Sequence, residues 1–264
     1  MPKAFESEAA LCAAFLAAID AEVWTAYAET SGWDILLVRK ADGVQIGIEA
    51  KLRMNTDVLT QALEEYGASS ADRAGPDFRA VLVPEGTGGF GRICEYIGVT
   101  IIVMHKPPDP SIAHRMRGAK KFDPELPVKD DWNMRNWHDW WPVRREWLPA
   151  YVPDVRAGMP SPLQLTDWKI CALKVQVTLE LRGYVTREDF KHIGIDHRRW
   201  LGAQSQFGMM QSEVRGRYTH AGLGFHREHP KVYAQIKAEA ERWMRKAGDD
   251  DPPTLSLTTA PESS

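Results

Sequence analysis

The dipeptide Asp42-Gly43 constrains the fold of this 264-residue chain more than any other feature. It separates two apolar runs, residues 34–39 (DILLVR) and residues 44–53 (VQIGIEAKLR). A short polar link ending in Gly between such runs marks a β-hairpin, because Gly supplies the positive φ that a tight turn needs. With Asp42-Gly43 as a two-residue loop, Leu36 stands opposite Glu49 and Asp34 opposite Lys51. Side chains alternate between faces along a strand. Asp34, Glu49 and Lys51 then share one face, and Ile35, Leu37, Ile48, Ala50 and Leu52 form an apolar face directed into a core. Asp34 and Glu49 become diagonal neighbours, about 7–8 Å apart. A four-residue loop sets the two acids directly opposite and keeps them on one face. A one-residue slip turns the apolar face to water and is disfavoured.

The flanking segments have their own periods. Residues 5–20 are rich in Ala and Leu, with Leu11, Phe15 and Ile19 at four-residue steps, and read as a helix. Residues 22–30 alternate and read as a strand. A helix is expected over 56–69 with Thr56 as its N-cap. A strand follows over 78–84, a glycine-rich turn over 86–91, a helix over 90–97 and an apolar strand over 99–104. The order α-β-β-β-α-β-α-β defines an α/β domain over residues 1–105.

Residues 106–162 differ. They hold ten of the 17 prolines, and five of the ten Trp lie between 132 and 147. Proline breaks regular structure, and such a density of Trp argues against a free linker. The segment reads as an irregular connection wrapped onto one or both neighbours. Its Trp side chains either pack, their commoner role, or stack on nucleic-acid bases.

A second, mainly helical domain is expected over 163–246. Thr166 opens a helix that carries Leu173, Val177 and Leu181 and ends at Arg182-Gly183. Thr186 and Asp189 have capping-box spacing for a short helix to about residue 193. Asp196 caps a third helix over 197–203. A glycine-punctuated hairpin follows over 216–224, and His229-Pro230 opens a last helix to about 246. Residues 247–264 read as a disordered acidic and Ser/Thr-rich tail.

Charge follows the same division. Residues 1–105 carry 8 Lys/Arg against 15 Asp/Glu, whereas residues 164–246 carry 15 against 9. An acidic block suits metal collection and a basic block suits phosphate contact. Ordinary variation between domains explains the charge equally well. Cys12, Cys94 and Cys171 are far apart among apolar neighbours and read as reduced core residues. The amino-terminal residues lack an export pattern, and no apolar run approaches the roughly 18 residues of a membrane span. A cytoplasmic protein without a membrane partner is expected.

Two carboxylates beside a lysine on one sheet face have a chemical use. Mg²⁺ is held by one or two carboxylates and keeps several waters. A neighbouring lysine offsets charge on a phosphoryl group. The competing reading is a cross-strand Asp34–Lys51 ion pair on a wet sheet face, a common and weak interaction.

Asp34, followed by Ile48-Glu49-Ala50-Lys51 within this element order, resembles the PD-(D/E)xK nuclease superfamily. Trp33 stands where the motif's name has Pro. The resemblance spans about residues 5–105 and implies a restriction-endonuclease-like αβββαβ core. It implies that Asp34 and Glu49 bind Mg²⁺ or Mn²⁺ and that Lys51 assists hydrolysis. It adds a helix-borne acid: Glu8, with Leu11 and Phe15 three and seven residues on, and Glu6 as second choice. Residues 163–246 resemble a helix-turn-helix or winged-helix domain. There Arg198 and Arg199 lie on the recognition helix and Arg215 and Arg217 near a wing, all four facing DNA; a small helical domain that merely packs is the alternative. The expected function is a Mg²⁺-dependent deoxyribonuclease that cuts backbone phosphodiesters to leave 5′-phosphates. A homodimer is expected if both strands of a duplex are cut. A DNA-binding regulator or recruitment protein with an inactive nuclease fold is the alternative.

Overall fold

Runs of apolar residues covered on both sides organise the amino-terminal half around one mixed sheet. The structure, a computed structural model, describes residues 4–63, 74–84, 88–105, 120–127, 136–158, 164–201 and 205–246. The chain divides into two compact units, 1–164 and 165–264. In the first, helix α1 (Glu8–Leu16) precedes strands β1 (Trp24–Thr30), β2 (Trp33–Arg39) and β3 (Gln45–Ala50). Helix α2 (Thr56–Leu63), β4 (Phe78–Val83), α3 (Phe90–Ile97), β5 (Thr100–Met104) and β6 (Phe122–Asp123) follow. The six strands lie side by side in chain order. β1, β2 and β3 form an antiparallel meander, β3, β4 and β5 are parallel, and β6 closes antiparallel on β5. The expected order through β5 is observed. β6 was not anticipated, because it arises from the proline-rich segment.

Helix α1 begins where Ser7 Oγ accepts the Ala10 N–H at 3.1 Å. Its Leu11, Cys12 and Phe15 pack with Ile35, Leu37, Ile46, Ile48 and Ala50. The other face is also covered, by Val58, Leu59 and Ala62 of α2 and Cys94 of α3 packing with Trp33, Leu36, Val81 and Val83. Every residue of β3 and β4 is buried, as parallel strands flanked by helices require. The face that carries Leu36 is thus a second core and not a wet one, and Lys51 and Asp34 instead lie by Glu8 of α1. Asn55, not Thr56, caps α2, its Oδ1 accepting the Val58 N–H at 3.0 Å. The expected continuation of α2 over 64–69 lies outside the described residues.

The hairpin closes with a four-residue loop instead of two. Ile35 pairs with Ile48, Leu36 with Gly47, Leu37 with Ile46 and Val38 with Gln45. The Arg39 N–H donates to Val44 O and the Gly43 N–H to Arg39 O, both at 2.8 Å. Arg39 explains the longer loop. Its Nε and Nη2 each reach an Asp42 carboxylate oxygen at 2.8 Å, and its Nη1 reaches Pro127 O at 2.8 Å. A bidentate fork of this kind fixes geometry as well as adding energy. The Arg39 fork holds the Asp42 carboxyl at about 2, below the ordinary 3.8. A carboxyl lowered on folding adds stability above its unfolded pKa, and that stability is lost as pH falls through the folded one. Asp42→Asn is therefore expected to destabilise at neutral pH, with the difference from wild type shrinking between about pH 4 and 2. Urea midpoints at pH 7, 4 and 2 measure this; a pH-independent difference would refute it.

Gly47 is needed for a packing reason. A Cβ there would lie 2.5 Å from ring carbons of Trp33. Of the Pro/Trp-rich segment, residues 120–127 carry β6 and residues 136–158 form a strap, both within the first unit. Trp137 stacks edge-on against Phe78 at 5.8 Å, and its indole donates to Glu125 O at 2.9 Å. Trp140 donates to Gly98 O at 2.8 Å and lies 4.8 Å from the guanidinium of buried Arg79. Gln45 Nε2 donates to Glu146 O at 3.0 Å, and Glu146 N–H donates to Gln45 Oε1 at 2.8 Å. Ser31 Oγ donates to Trp147 O at 2.9 Å. Trp132 lies outside the described residues.

The second unit contains α4 (Asp167–Arg182), α5 (Arg187–Ile193), β7 (Met210–Gln211), β8 (Tyr218–Thr219), α6 (Pro230–Ala238) and α7 (Ala240–Trp243). Thr166 caps α4, and Gly183 follows it at φ +83°. The Thr186–Asp189 capping box forms in both directions. Val185, between α4 and α5, bridges antiparallel to Tyr218. The third helix expected over 197–203 is instead a 3₁₀ turn, His197–Arg199, capped by Asp196. Trp200 is drawn fully into the core and Leu201 pairs with Met209; a continuing helix would use those backbone groups internally. Residues 202–204 lie outside the described residues. The last helix is divided at Glu239 into α6 and α7. Among the described residues no helix is long and apolar enough to cross a membrane.

Candidate active site

Three sequence-derived residues meet at the carboxyl end of β3. Lys51 follows the strand, and its Nζ lies 3.4 Å from Glu8 Oε2 in the first turn of α1. Asp34 Oδ2 accepts the N–H of Ala50 at 2.8 Å. This bond has a clear local origin. The ladder between β2 and β3 stops at Ile35–Ile48, and the Asp34 carboxylate takes the role of the missing strand acceptor. Asp34 thereby sits where β2 leaves β3. The carboxyl ends of parallel strands are where open α/β sheets place ligands, and β3 runs parallel to β4 there.

Burial pushes the Asp34 carboxyl up; the Ala50 N–H and the Lys51 charge pull it down, and the Glu8 charge pushes it up again, leaving it above its ordinary value. Cys12 registers the same field. Its thiol is pushed up to about 12, first by burial and then by the negative charges of Asp34, Glu29 and Glu8. Glu29, buried at φ +48° in β1, is a carboxylate that reading by period missed. Its one signal is position: it precedes the Thr30-Ser31-Gly32 turn that leads to Asp34.

Glu49 is 6% exposed and lies across from Val81 of β4. Continuing the observed register by one step sets it level with Asp34, where the two-residue loop had set it level with Leu36. Among the described residues no group of three or more His, Cys, Asp or Glu side chains is gathered to hold a metal ion. The set Glu8, Asp34 and Glu49 is thus not drawn around one point, whereas Glu8, Asp34 and Lys51 are brought together. Glu6, the second choice, is exposed one residue before the cap. The donors suit a hard cation of the Mg²⁺ kind, which needs only one or two carboxylates beside its waters.

In the second unit Arg198, Arg199 and Arg215 are exposed. Arg217 is not free in the same way: its guanidinium lies 4.1 Å from the Tyr184 ring centre, with Arg182 at 4.6 Å from the same ring. Arg182 and Arg245 both pair with Asp189, which is 2% exposed in its side chain. Burial pushes the Asp189 carboxyl up, but its bonds to Arg182 and Thr186 prevail and hold it below the usual range. Arg217 therefore helps hold the hairpin beside Tyr184. Compared with known proteins, the chain matches no family model, no curated protein and no solved structure.

Proposed function

We propose that the chain is a metal-dependent DNA nuclease whose restriction-endonuclease-like core is residues 1–105 and whose second unit binds DNA in winged-helix fashion. The observation that carries the reading is the meeting of Glu8, Asp34 and Lys51 at the carboxyl end of β3. Glu8 and Asp34 would hold the cation, with Glu49 on the adjoining strand level with Asp34 by register. A bound Mg²⁺ or Mn²⁺ lowers the pKa of its water and offsets charge on a phosphoryl oxygen. Lys51, anchored by Glu8, supplies a positive charge for the phosphate as negative charge builds on its oxygens. Asp34 is held in place by Ala50, so its orientation does not depend on substrate. Incubating plasmid, linear duplex and single strands with the full chain, with and without Mg²⁺ or Mn²⁺, tests this. Cleavage only with metal is expected, and none on any DNA would overturn it.

The second unit supports the targeting half of the reading. Val185, between the first two helices, bridges to Tyr218 of the β7–β8 hairpin, a contact that supports reading the hairpin as a wing. If about five phosphates are neutralised, log affinity falls against log salt with a slope of about −4 to −5. Arg198→Ala with Arg199→Ala is expected to weaken binding on every sequence and flatten that slope by about 2. Fluorescence anisotropy across a salt series on duplex DNA checks this; an unchanged slope removes these arginines from the interface.

The second reading is a DNA-binding recruitment protein with an inactive nuclease fold. DNA binding without cleavage in any divalent metal would select it.

A further inference from the structure

The strap 136–158 presents two Trp side chains to solvent in a way that packing does not explain. Trp137 and Trp140 are spent on the two cores. Trp141 is 82% exposed and Trp147 is 47% exposed, with Val143 exposed between them. Trp141 also has φ +47°, a left-handed conformation, although it precedes Pro142. A bulky residue in that region is an outlier, and the residue before proline is normally confined to extended backbone. Such strain persists only where the surroundings impose it, and it collects at ligand contacts. Here the surroundings do impose it: Trp140 N–H donates to Asp77 O at 2.9 Å, and Trp141 N–H donates to Asp139 Oδ1 at 2.9 Å.

Charge on the strap is sorted by direction. Arg145 is turned to the sheet, where its Nε donates to Asp77 Oδ2 at 2.8 Å and its Nη1 to Asp42 O at 3.0 Å. The other exposed charged residues are Arg144 and Arg156, while Asp139, Glu146 and Asp154 are half-buried. Asp139 is turned back to the backbone, and Glu146 accepts from the Trp33 indole at 3.4 Å. An outward surface of aromatic faces and guanidinium groups, with its acids folded inward, matches a polyanion that carries flat rings. Exposed bases of single-stranded DNA combine both. Trp147 is tied through its backbone to the segment that leads into Asp34. Its carbonyl is fixed by Ser31 of the β1–β2 turn, three residues before Asp34.

We infer that Trp141 and Trp147 form a stacking platform for unpaired bases of the DNA strand served by the Glu8–Asp34–Lys51 site. This inference rests on the nuclease reading for the strand's destination, and on the strap alone for the stacking. It narrows the substrate to DNA with a single-stranded portion, such as a flap, gap or frayed end.

The test uses the full chain without divalent metal and compares a labelled single-stranded oligonucleotide with a blunt duplex. Trp141→Ala with Trp147→Ala is expected to weaken single-strand binding by at least about 5-fold for each ring removed, so about 25-fold or more together, and to leave duplex binding unchanged. Trp141→Phe with Trp147→Phe keeps the rings and is expected to restore most of the affinity. Equal losses on both DNAs, or no loss on single strands, would overturn the inference. So would an Ala variant that fails to self-associate where the wild type sedimented as a dimer, because the rings would then cover one another across two copies. Metal-dependent cleavage is measured separately with both proteins. Ring-dependent single-strand binding without any cleavage would keep the platform and discard the nuclease reading. Cleavage with ring-independent binding would do the reverse.

Discussion

Asp34→Asn is expected to lower Mg²⁺-dependent DNA cleavage by about 10²-fold or more while the protein stays folded. The substitution isolates the charge. An amide oxygen still accepts the Ala50 N–H that Asp34 takes at 2.8 Å, so the junction between β2 and β3 is retained. What is lost is an anionic oxygen donor for the cation. Asp34→Ala would confuse the two roles, because it also strands a buried N–H at a cost of about 1–3 kcal/mol. Glu49→Gln is expected to act in the same direction. Lys51→Ala is expected to lose the chemical step yet keep metal affinity, since it removes a cation and frees Glu8. Single-turnover cleavage and metal titration followed by calorimetry separate these outcomes. Wild-type cleavage by either carboxylate variant would take that carboxylate out of the reaction, and lost metal affinity in Lys51→Ala would make the lysine structural.

Trp200→Ala is expected to destabilise the second unit by about 3–5 kcal/mol, a large share of the roughly 5–15 kcal/mol available to a domain. Trp200 is fully buried. Its ring centre lies 4.4 Å from Phe207, 5.6 Å from Phe190 and 5.7 Å from Phe225. Truncation leaves a cavity lined by rigid rings that cannot close around it. Trp200→Phe is expected to cost much less. It leaves a smaller void and removes an indole N–H that finds no hydrogen-bond partner among the described residues. Chemical denaturation of the full chain, read as loss of the second unit's transition, measures both. A cost below about 1 kcal/mol for the Ala variant would show that the ring cluster contributes little.

What could be read from residues alone divides by range. Local signals were legible: the Thr186–Asp189 box, Gly183 after α4, and the run of elements from α1 to β5 all rest on neighbours within a few residues. The hairpin's existence was legible from Asp42-Gly43, but its register was not. Arg39 decided the loop length by gripping Asp42 and Pro127 O at once, and the second partner lies 88 residues away. The apolar face carrying Ile35, Leu37 and Ile48 survived that change because a shift by two positions preserves the alternation. The third helix failed for a similar reason. Residues 197–203 have helical spacing, yet burial of Trp200 and the pairing of Leu201 with Met209 outweighed it. Glu29 escaped notice because nothing in its surroundings marks the fold back toward Asp34. Which Trp would pack and which would be exposed was likewise invisible, since it depends on Gly98, Glu125 and Phe78 reaching Trp137 and Trp140.

The strap has a consequence for the order in which the first unit is completed during synthesis. Glu8, Asp34 and Lys51 all belong to the first 51 residues, and the β1–β2–β3 meander closes through local pairings. The strap reaches Gln45 from 101 residues further along and Ser31 from 116. At about 5–20 residues per second, a ribosome needs roughly 5–20 s to span that interval. Throughout it the Trp33 side of the meander lacks the strap's share of its cover, with an apolar surface open to chaperones or to other nascent chains. The catalytic candidates are therefore made early and the contacts that lock their turn arrive late. Slowing translation between residues 51 and 136 would lengthen that exposure without altering the finished protein.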